Sequence, residues 1–179
     1  LVNACKDAVH FKWPVIVKPV DSAGSKGVSR IEKLKQLKDA VDFALQYSNS
    51  REFIVEEFIE KEGCSSDSDC FSVDGKFAFM SFSAQRFDEK VTGIYTPAAY
   101  SWPSTFGTQI ESELASELQR LINLWGMTTT IYNIETRVGK DGNPYIMEVT
   151  PRGGGNRLAE MLRYATGVDM ITASVRAAV

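Results

Sequence analysis

The sequence predicts an α+β fold in two lobes, a small β-hairpin and helix lobe over residues 1–60 and a larger antiparallel sheet with helices over 61–179. Three observations carry this reading. The stretch "VIVKPVDSAGSKGVSRI", Val15–Ile31, runs from an apolar strand through a glycine-rich turn into a second strand. Asp74-Gly75 and Asp141-Gly142 each join strand-like runs, and Asp-Gly is a strong signal for a tight hairpin. Between those hairpins lies a segment whose apolar residues recur at helical spacing.

In order along the chain, Val15–Val20 and Val28–Ile31 read as paired strands. Ser29-Arg30-Ile31-Glu32 has the spacing of a capping box, and the helix behind it carries Leu34, Leu37, Val41, Ala44 and Leu45 on one face. Glu52–Ile59 reads as a strand with an acidic end. After a polar break at Lys61–Ser66, strands are predicted over Ser68–Val73 and Phe77–Arg86. Thr108-Gln109-Ile110-Glu111 is a second capping box, opening a helix with Ile110, Leu114, Leu118, Leu121, Ile122 and Trp125 inward. Strands over Thr128–Val138 and Pro144–Val149 follow, then a glycine-rich loop. The last predicted helix, Leu158–Ala165, meets a natural terminator in Gly167.

Composition narrows the function. A chain of 179 residues that is 44% hydrophobic can bury a core. Its net charge of -3 argues against nucleic acid or an anionic membrane as the main partner, since both call for a basic surface. No apolar run approaches the roughly 20 residues of a membrane span, and no signal peptide is visible. Cys5, Cys64 and Cys70 form no disulfide framework, which favours a reducing cytoplasm. The chain starts at Leu1 and ends "VRAAV" within a helical pattern, so it reads as a segment of a longer protein.

The most informative pattern is "TIYNIETRVGKDGNPYIMEVTPR". A two-residue loop at Asp141-Gly142 pairs Lys140 with Asn143, which places Glu135 directly opposite Glu148. The same register sets Asn133 against Thr150 and Arg137 against Ile146, with Ile134, Val138, Tyr145, Met147 and Val149 on the core face. A three-residue loop would break the pairing. Like charges facing each other on a sheet are destabilising, by up to roughly 1 kcal/mol. A divalent cation removes that penalty, and paired carboxylates are what Mg²⁺ takes alongside substrate phosphates. The alternative is two solvated glutamates with Arg137 as counter-ion.

The glycine-rich turn is not a Walker A loop, because it leads into a strand rather than a helix. Gly24 and Gly27 still let backbone N–H groups approach anionic oxygens, and Lys18 adds a charge beside them. The alternative is a mobile polar hairpin tip. "CSSDSDC" offers Cys64, Asp67, Asp69 and Cys70 as ligands, but its spacing matches no standard zinc or calcium loop. His10, the single histidine, provides no base for a nucleophilic triad.

Taken together, "PVIVKPVDSAGSKGV", "FIVEEFIE", "SAQRFDEK" and "IETRVGKDGNPYIMEVTPRGGG" resemble the ATP-grasp superfamily. The branch indicated is that of biotin carboxylase and the carbamoyl phosphate synthetase large subunit. The resemblance implies two lobes enclosing ATP, with Mg²⁺ or Mn²⁺. It implies that Lys18 contacts the phosphates, with Ser22, Gly24, Ser25, Lys26 and Gly27 in the lid above them. Glu56, Glu57, Phe58 and Ile59 would form the adenine hinge, and Asp67 or Ser65 would lie near the ribose. Gln85, Asp88 and Lys90 match a stretch lining the nucleotide and substrate site, with Lys90 in a catalytic role. Glu135, Glu148 and Thr150 match the metal-binding positions, and Arg152 matches the arginine that holds the acid substrate or transferred phosphate. The family usually has asparagine where Thr150 stands, and a hydroxyl lacks the amide carbonyl.

The implied reaction is ATP-driven activation of a carboxylate or bicarbonate to an acyl phosphate, then attack by an amine or similar nucleophile. A non-catalytic ATP-binding module and an ATP-grasp small-molecule kinase are the alternatives. The partners implied are small-molecule carboxylates and amines, with no nucleic acid or membrane, and a homodimer formed through flanking domains outside this segment.

Overall fold

In the first strand Val15, Val17 and Pro19 are buried while Ile16 and Lys18 face the other way, the alternation a one-sided sheet requires. A computed structural model describes residues 10–88, 90 and 96–179. They divide into two compact units: one holds the chain up to Ile59 together with Lys90 and Thr96, the other Glu60–Asp88 and Pro97–Val179.

The first unit contains strands β1 (Val15–Pro19), β2 (Ser29–Ile31) and β3 (Phe53–Glu57) and helix α1 (Leu37–Leu45). The strands form an antiparallel sheet in the order β2-β1-β3, with the helix packed on it. Its core gathers Val15, Val17, Ile31, Leu37, Ala40, Val41 and Ala44. Each large aliphatic side chain among them contributes roughly 1.5–3 kcal/mol on full burial. The capping box expected at Ser29 does not form, because Ser29–Ile31 is committed to its ladder with β1. The Gln36 side chain does that work instead, accepting from the backbone N–H of Glu32 and of Lys33, each at 3.0 Å. The helix therefore starts later, and Leu34 is exposed rather than on its buried face.

The second unit contains β4 (Ser66–Val73), β5 (Lys76–Phe79), β6 (Ala84–Phe87), β7 (Pro97–Ser101), β8 (Thr130–Val138) and β9 (Pro144–Thr150). Four of them form an antiparallel sheet in the order β5-β4-β8-β9. The strand expected over Phe77–Arg86 is two strands, since β6 leaves the sheet and pairs with β7. Serines at the break replace ladder bonds with side-chain ones. Ser83 Oγ donates to the Asp67 carbonyl at 2.7 Å, and Ser83 N–H donates to Ser66 Oγ at 2.9 Å.

Helix α2 (Thr108–Leu124) buries Leu114, Leu118 and Ile122 against Cys70, Tyr132 and Ile134 on one sheet face. Its cap also differs from expectation. Gly107 precedes the first helical residue, Thr108, and Glu111 accepts from Ser104 Oγ at 2.7 Å instead of reaching back to the backbone. Trp125 falls just past the last helical turn and is 54% exposed. Helices α3 (Leu158–Thr166) and α4 (Met170–Ala178) enclose a second apolar cluster of Phe71, Leu162 and Met170. Gly167 ends α3 in the left-handed conformation, as its position predicts. Among the described residues, no helix is long and apolar enough to cross a membrane.

The β8–β9 hairpin reaches the predicted pairing by another route. Gly139 N–H donates to the Asn143 carbonyl at 2.9 Å, leaving Lys140, Asp141 and Gly142 in the loop. That odd loop shifts the nearby pairs, so Arg137 faces Tyr145 rather than Ile146, and Ile146 faces Thr136 and joins the α2 core. A bulge then absorbs Met147, and Glu135 again meets Glu148, with Asn133 opposite Thr150.

Candidate functional site

In the first unit, Lys18 lies opposite Ile54 and Glu56 opposite Ile16, which places Lys18 and Glu56 on the same outward face. Lys18 Nζ is 2.6 Å from the Glu56 carboxylate. On the neighbouring strand edge, Lys12 N–H donates to Glu57 Oε1 at 3.1 Å, and the Arg30 guanidinium stacks 4.7 Å from the Phe58 ring centroid. Ser22, Gly24, Ser25 and Lys26 are exposed in the turn between β1 and β2. The base of that turn is fixed. Asp21 Oδ2 accepts from Asn49 and Ser50 N–H at 2.9 Å each, and hydrogen bonds from Ser48 and these amides hold its carboxyl below the usual range. Gly27 is buried at φ 76°, and a Cβ there would meet Tyr47 at 3.0 Å and Pro19 at 3.2 Å.

In the second unit, one sheet face carries two ranks of polar side chains across three strands. Asp67, Glu135 and Glu148 form one rank, and Asp69, Asn133 and Thr150 the next. Glu148 stands on the edge strand β9 and is exposed. Behind the ranks runs a buried hydrogen-bond network. Asn133 Nδ2 donates to Asp67 Oδ1 at 2.6 Å and to Asp69 Oδ1 at 3.3 Å. The Tyr100 hydroxyl donates to Asp67 Oδ2 at 2.8 Å, and Gly154 N–H donates to Asp69 Oδ1 at 2.8 Å.

Burial raises both Asp67 and Asp69 above the usual carboxyl range, against the hydrogen bonds and the positive charge of Arg152. Burial and the Asp67 charge also push the Tyr100 hydroxyl well up, so it remains a donor. Gln85 is buried beside it, and its N–H donates to the Ser65 carbonyl at 2.8 Å. Arg152 is exposed, with Nη1 donating to the Gly153 carbonyl at 2.8 Å. Asp88 and Lys90 are exposed.

The donor chemistry of the Glu135–Glu148 rank fits a hard divalent cation. Among the described residues no group of three or more His, Cys, Asp or Glu side chains is arranged to hold a metal, so these residues offer no closed cage. Two facing carboxylates, with phosphate and water completing the shell, is the arrangement Mg²⁺ accepts. The Thr150 hydroxyl donates toward the Asn133 carbonyl at 3.4 Å, which leaves its lone pairs facing outward. Cys64 and Cys70 are both free thiols, and Cys5 lies outside the described residues. A cleft of about 620 Å³ lined by Trp102, Glu111, Ser112 and Thr166 contains none of these residues.

Reasoning from sequence missed Tyr100, Asn133 and Gly154 as partners of the aspartates. The alternation of Asp67 and Asp69 along one strand was a visible signal that they share a face. What they face depended on the β4–β8 register.

These features are those of an α+β fold built on antiparallel sheets with helices, and comparison with known proteins gives the family. The family model of the ATP-grasp domain matches residues 11–160, and the chain belongs to the ATP-grasp family. It is 26% identical over 183 residues to the carbamoyl phosphate synthase large chain of Caldanaerobacter subterraneus subsp. tengcongensis, covering 99% of this chain and 16% of that protein. It is 32% identical over 127 residues to the D-alanine–D-alanine ligase of Helicobacter pylori, covering 65% of this chain and 34% of the ligase. Biotin carboxylase of Campylobacter jejuni, solved with β,γ-ATP, superposes with a TM-score of 0.78 at 17% identity, over 94% of this chain and 37% of that one. That likeness is one of fold. The chain spans about a sixth of the length of the first curated relatives it matches, at 16% of each.

Proposed function

We propose that this chain is the nucleotide-handling part of an ATP- and Mg²⁺-dependent ligase, which activates a carboxylate or bicarbonate as an acyl phosphate for attack by an amine or similar nucleophile. The observation that carries the proposal is the register that sets Glu135 against Glu148, with Thr150 in the adjoining rank and Arg152 beyond it. Family membership and relatives named as carbamoyl phosphate synthase, D-alanine–D-alanine ligase and N5-carboxyaminoimidazole ribonucleotide synthase support it.

In this reading Lys18 leaves Glu56 to meet phosphate oxygens, and the amides of the Gly24–Gly27 turn close over them. Glu56–Ile59 takes the adenine, with Asp67 or Ser65 toward the ribose and Gln85, Asp88 and Lys90 lining the nucleotide and substrate site. Glu135, Glu148 and Thr150 would hold Mg²⁺, which would supply positive charge against the negative charge of phosphoryl transfer. Arg152 orients the acid so that its oxygen attacks the γ-phosphorus and ADP leaves. The amine then attacks the acyl carbon and releases phosphate. Exclusion of water protects the acyl phosphate between the two steps.

The test is ADP release by the full-length protein against panels of carboxylates and amines. Mg²⁺-dependent turnover with an acceptor supports the ligase, and ATP binding with no turnover for any acceptor sinks it. A second reading, a nucleotide-binding module without catalysis, is favoured by the hydroxyl at position 150. Calorimetric titration of ATP separates the two: strong coupling to Mg²⁺ supports the enzyme, and metal-independent binding supports the module.

A further inference from the structure

The glycine-rich segment after β9 is held down by a buried carboxylate more than eighty residues earlier in the chain. Asp69 is 0% exposed. Its Oδ1 accepts from Gly154 N–H at 2.8 Å and from Asn133 Nδ2 at 3.3 Å, while its Oδ2 is buried with no partner. The backbone comes in very close. A Cβ at Gly154 would stand 2.5 Å from Leu158 Cδ2, 2.8 Å from Asn133 Nδ2 and 3.1 Å from Asp69 Oδ1, so any side chain there forces these groups to shift. A Cβ at Gly153 would stand 3.3 Å from Ile131 and 3.6 Å from Asp69 Oδ2.

Arg152 sits in the short span between two anchors. Thr150 on one side is fixed in the ladder opposite Asn133, and Gly154 on the other is fixed to Asp69. Between them, Pro151 has its φ locked by its ring. The Arg152 side chain is exposed, and packing does not place it. Its position follows from the backbone, and the backbone position follows from the two anchors.

We propose that Asp69 is a positioning residue: by docking Gly154 it sets where the Arg152 guanidinium stands relative to the Glu135–Glu148 rank. This rests on the ligase reading for its consequence in catalysis. The dock itself does not, and can be measured separately. The functional demand is for an acceptor at Oδ1, not for a charge, so asparagine at position 69 keeps the dock and alanine removes it.

Amide hydrogen exchange of the full-length protein, read by mass spectrometry on peptides spanning residues 152–156, tests the dock. Asp69→Ala raises exchange at Gly154 about tenfold or more, the scale of losing one hydrogen bond to a charged or polar acceptor. Asp69→Asn leaves it within about twofold of wild type on the same scale. In turnover assays Asp69→Ala and Gly154→Ala lower kcat by up to about 100-fold, as a misplacement of about 1 Å does, with KM for MgATP little changed. Asp69→Asn retains kcat. If Asp69→Ala does not fold, Gly154→Ala and Asp69→Asn carry the test. Unchanged exchange at Gly154 in the alanine variant overturns the proposal. So does a kcat loss in Asp69→Asn while exchange at Gly154 stays at the wild-type rate, which would mean that the charge matters and the dock does not. A wild-type protein that binds ATP but turns over no acceptor overturns the ligase reading and the catalytic role with it, whatever exchange reports about the dock.

Discussion

Lys18 Nζ and the Glu56 carboxylate meet at 2.6 Å in the first unit's sheet, with side chains 27% and 41% exposed. Both residues are proposed to face the nucleotide, so the chain holds the lysine proposed to meet phosphate on an internal counter-ion. An ion pair this exposed is worth about 0–1 kcal/mol, which ATP phosphates can outcompete. Lys18→Ala is expected to weaken MgATP binding about 10- to 100-fold, the range for a charge-assisted hydrogen bond, with little change in Tm. Titration calorimetry beside thermal unfolding checks it, and a variant that unfolds early with unchanged affinity contradicts it.

Glu148→Gln separates metal binding from stability. Removing one of two facing carboxylates relieves a repulsion of up to roughly 1 kcal/mol, so urea unfolding in the absence of Mg²⁺ should show equal or higher stability. Activity should fall steeply and no longer respond to Mg²⁺. A less stable variant that keeps its Mg²⁺ response would assign Glu148 to the scaffold instead.

The buried aspartates give a pH dependence of defined sign. Burial raises Asp69 above the ordinary carboxyl value, so over the pH window between those two values the folded chain binds more protons than the unfolded one. Its contribution is therefore fully present below the ordinary value and is lost as pH rises through the raised one. Asp69→Asn removes that titration. Urea midpoints measured from acid to neutral pH should show wild type losing stability relative to Asp69→Asn as pH rises. A constant difference across the range would show that Asp69 keeps an unshifted value.

The two positive-φ glycines of the turn between β1 and β2 should respond differently to alanine. Gly24 has φ 65°, and a Cβ added there would have no atom within 4 Å. Gly24→Ala therefore costs only the left-handed backbone penalty of about 1–2 kcal/mol. Gly27→Ala adds a clash with Tyr47 and Pro19 at 3.0 and 3.2 Å to the same penalty. Urea unfolding should rank Gly27→Ala as clearly the more destabilising. Equal losses would mean that Tyr47 moves aside freely.

Much of this was legible in the sequence because strand alternation and turn chemistry are local. The two-unit α+β plan and the places of the Asp-Gly hairpins follow from residues close together in the chain, but Glu135 and Glu148 face each other for a reason the turn did not show: the loop has three residues rather than two, and the bulge at Met147 restores the register. The helix starts were misplaced where another element had first claim on the backbone, as β1 does on Ser29–Ile31. The break between β5 and β6 was hidden because serine hydroxyls there replace ladder bonds that the apolar pattern implies. The aspartate network was not legible. Asp69 and Gly154 are separated by 85 residues, and Asp67 and Tyr100 by 33, and no local pattern records such pairs.

The bulge at Met147 has a consequence for how the hairpin tolerates change in length. An even number of residues separates the two glutamates, so any loop with an odd count must be matched by one unpaired residue along the way. Met147 is that residue, immediately beside Glu148. At this fixed spacing the turn at Lys140–Gly142 could take up one more residue only if the bulge vanished, and the glutamates would still face each other. Met147 thus acts as an expansion joint, taking up the mismatch of the odd turn so that the acidic pair stays face to face.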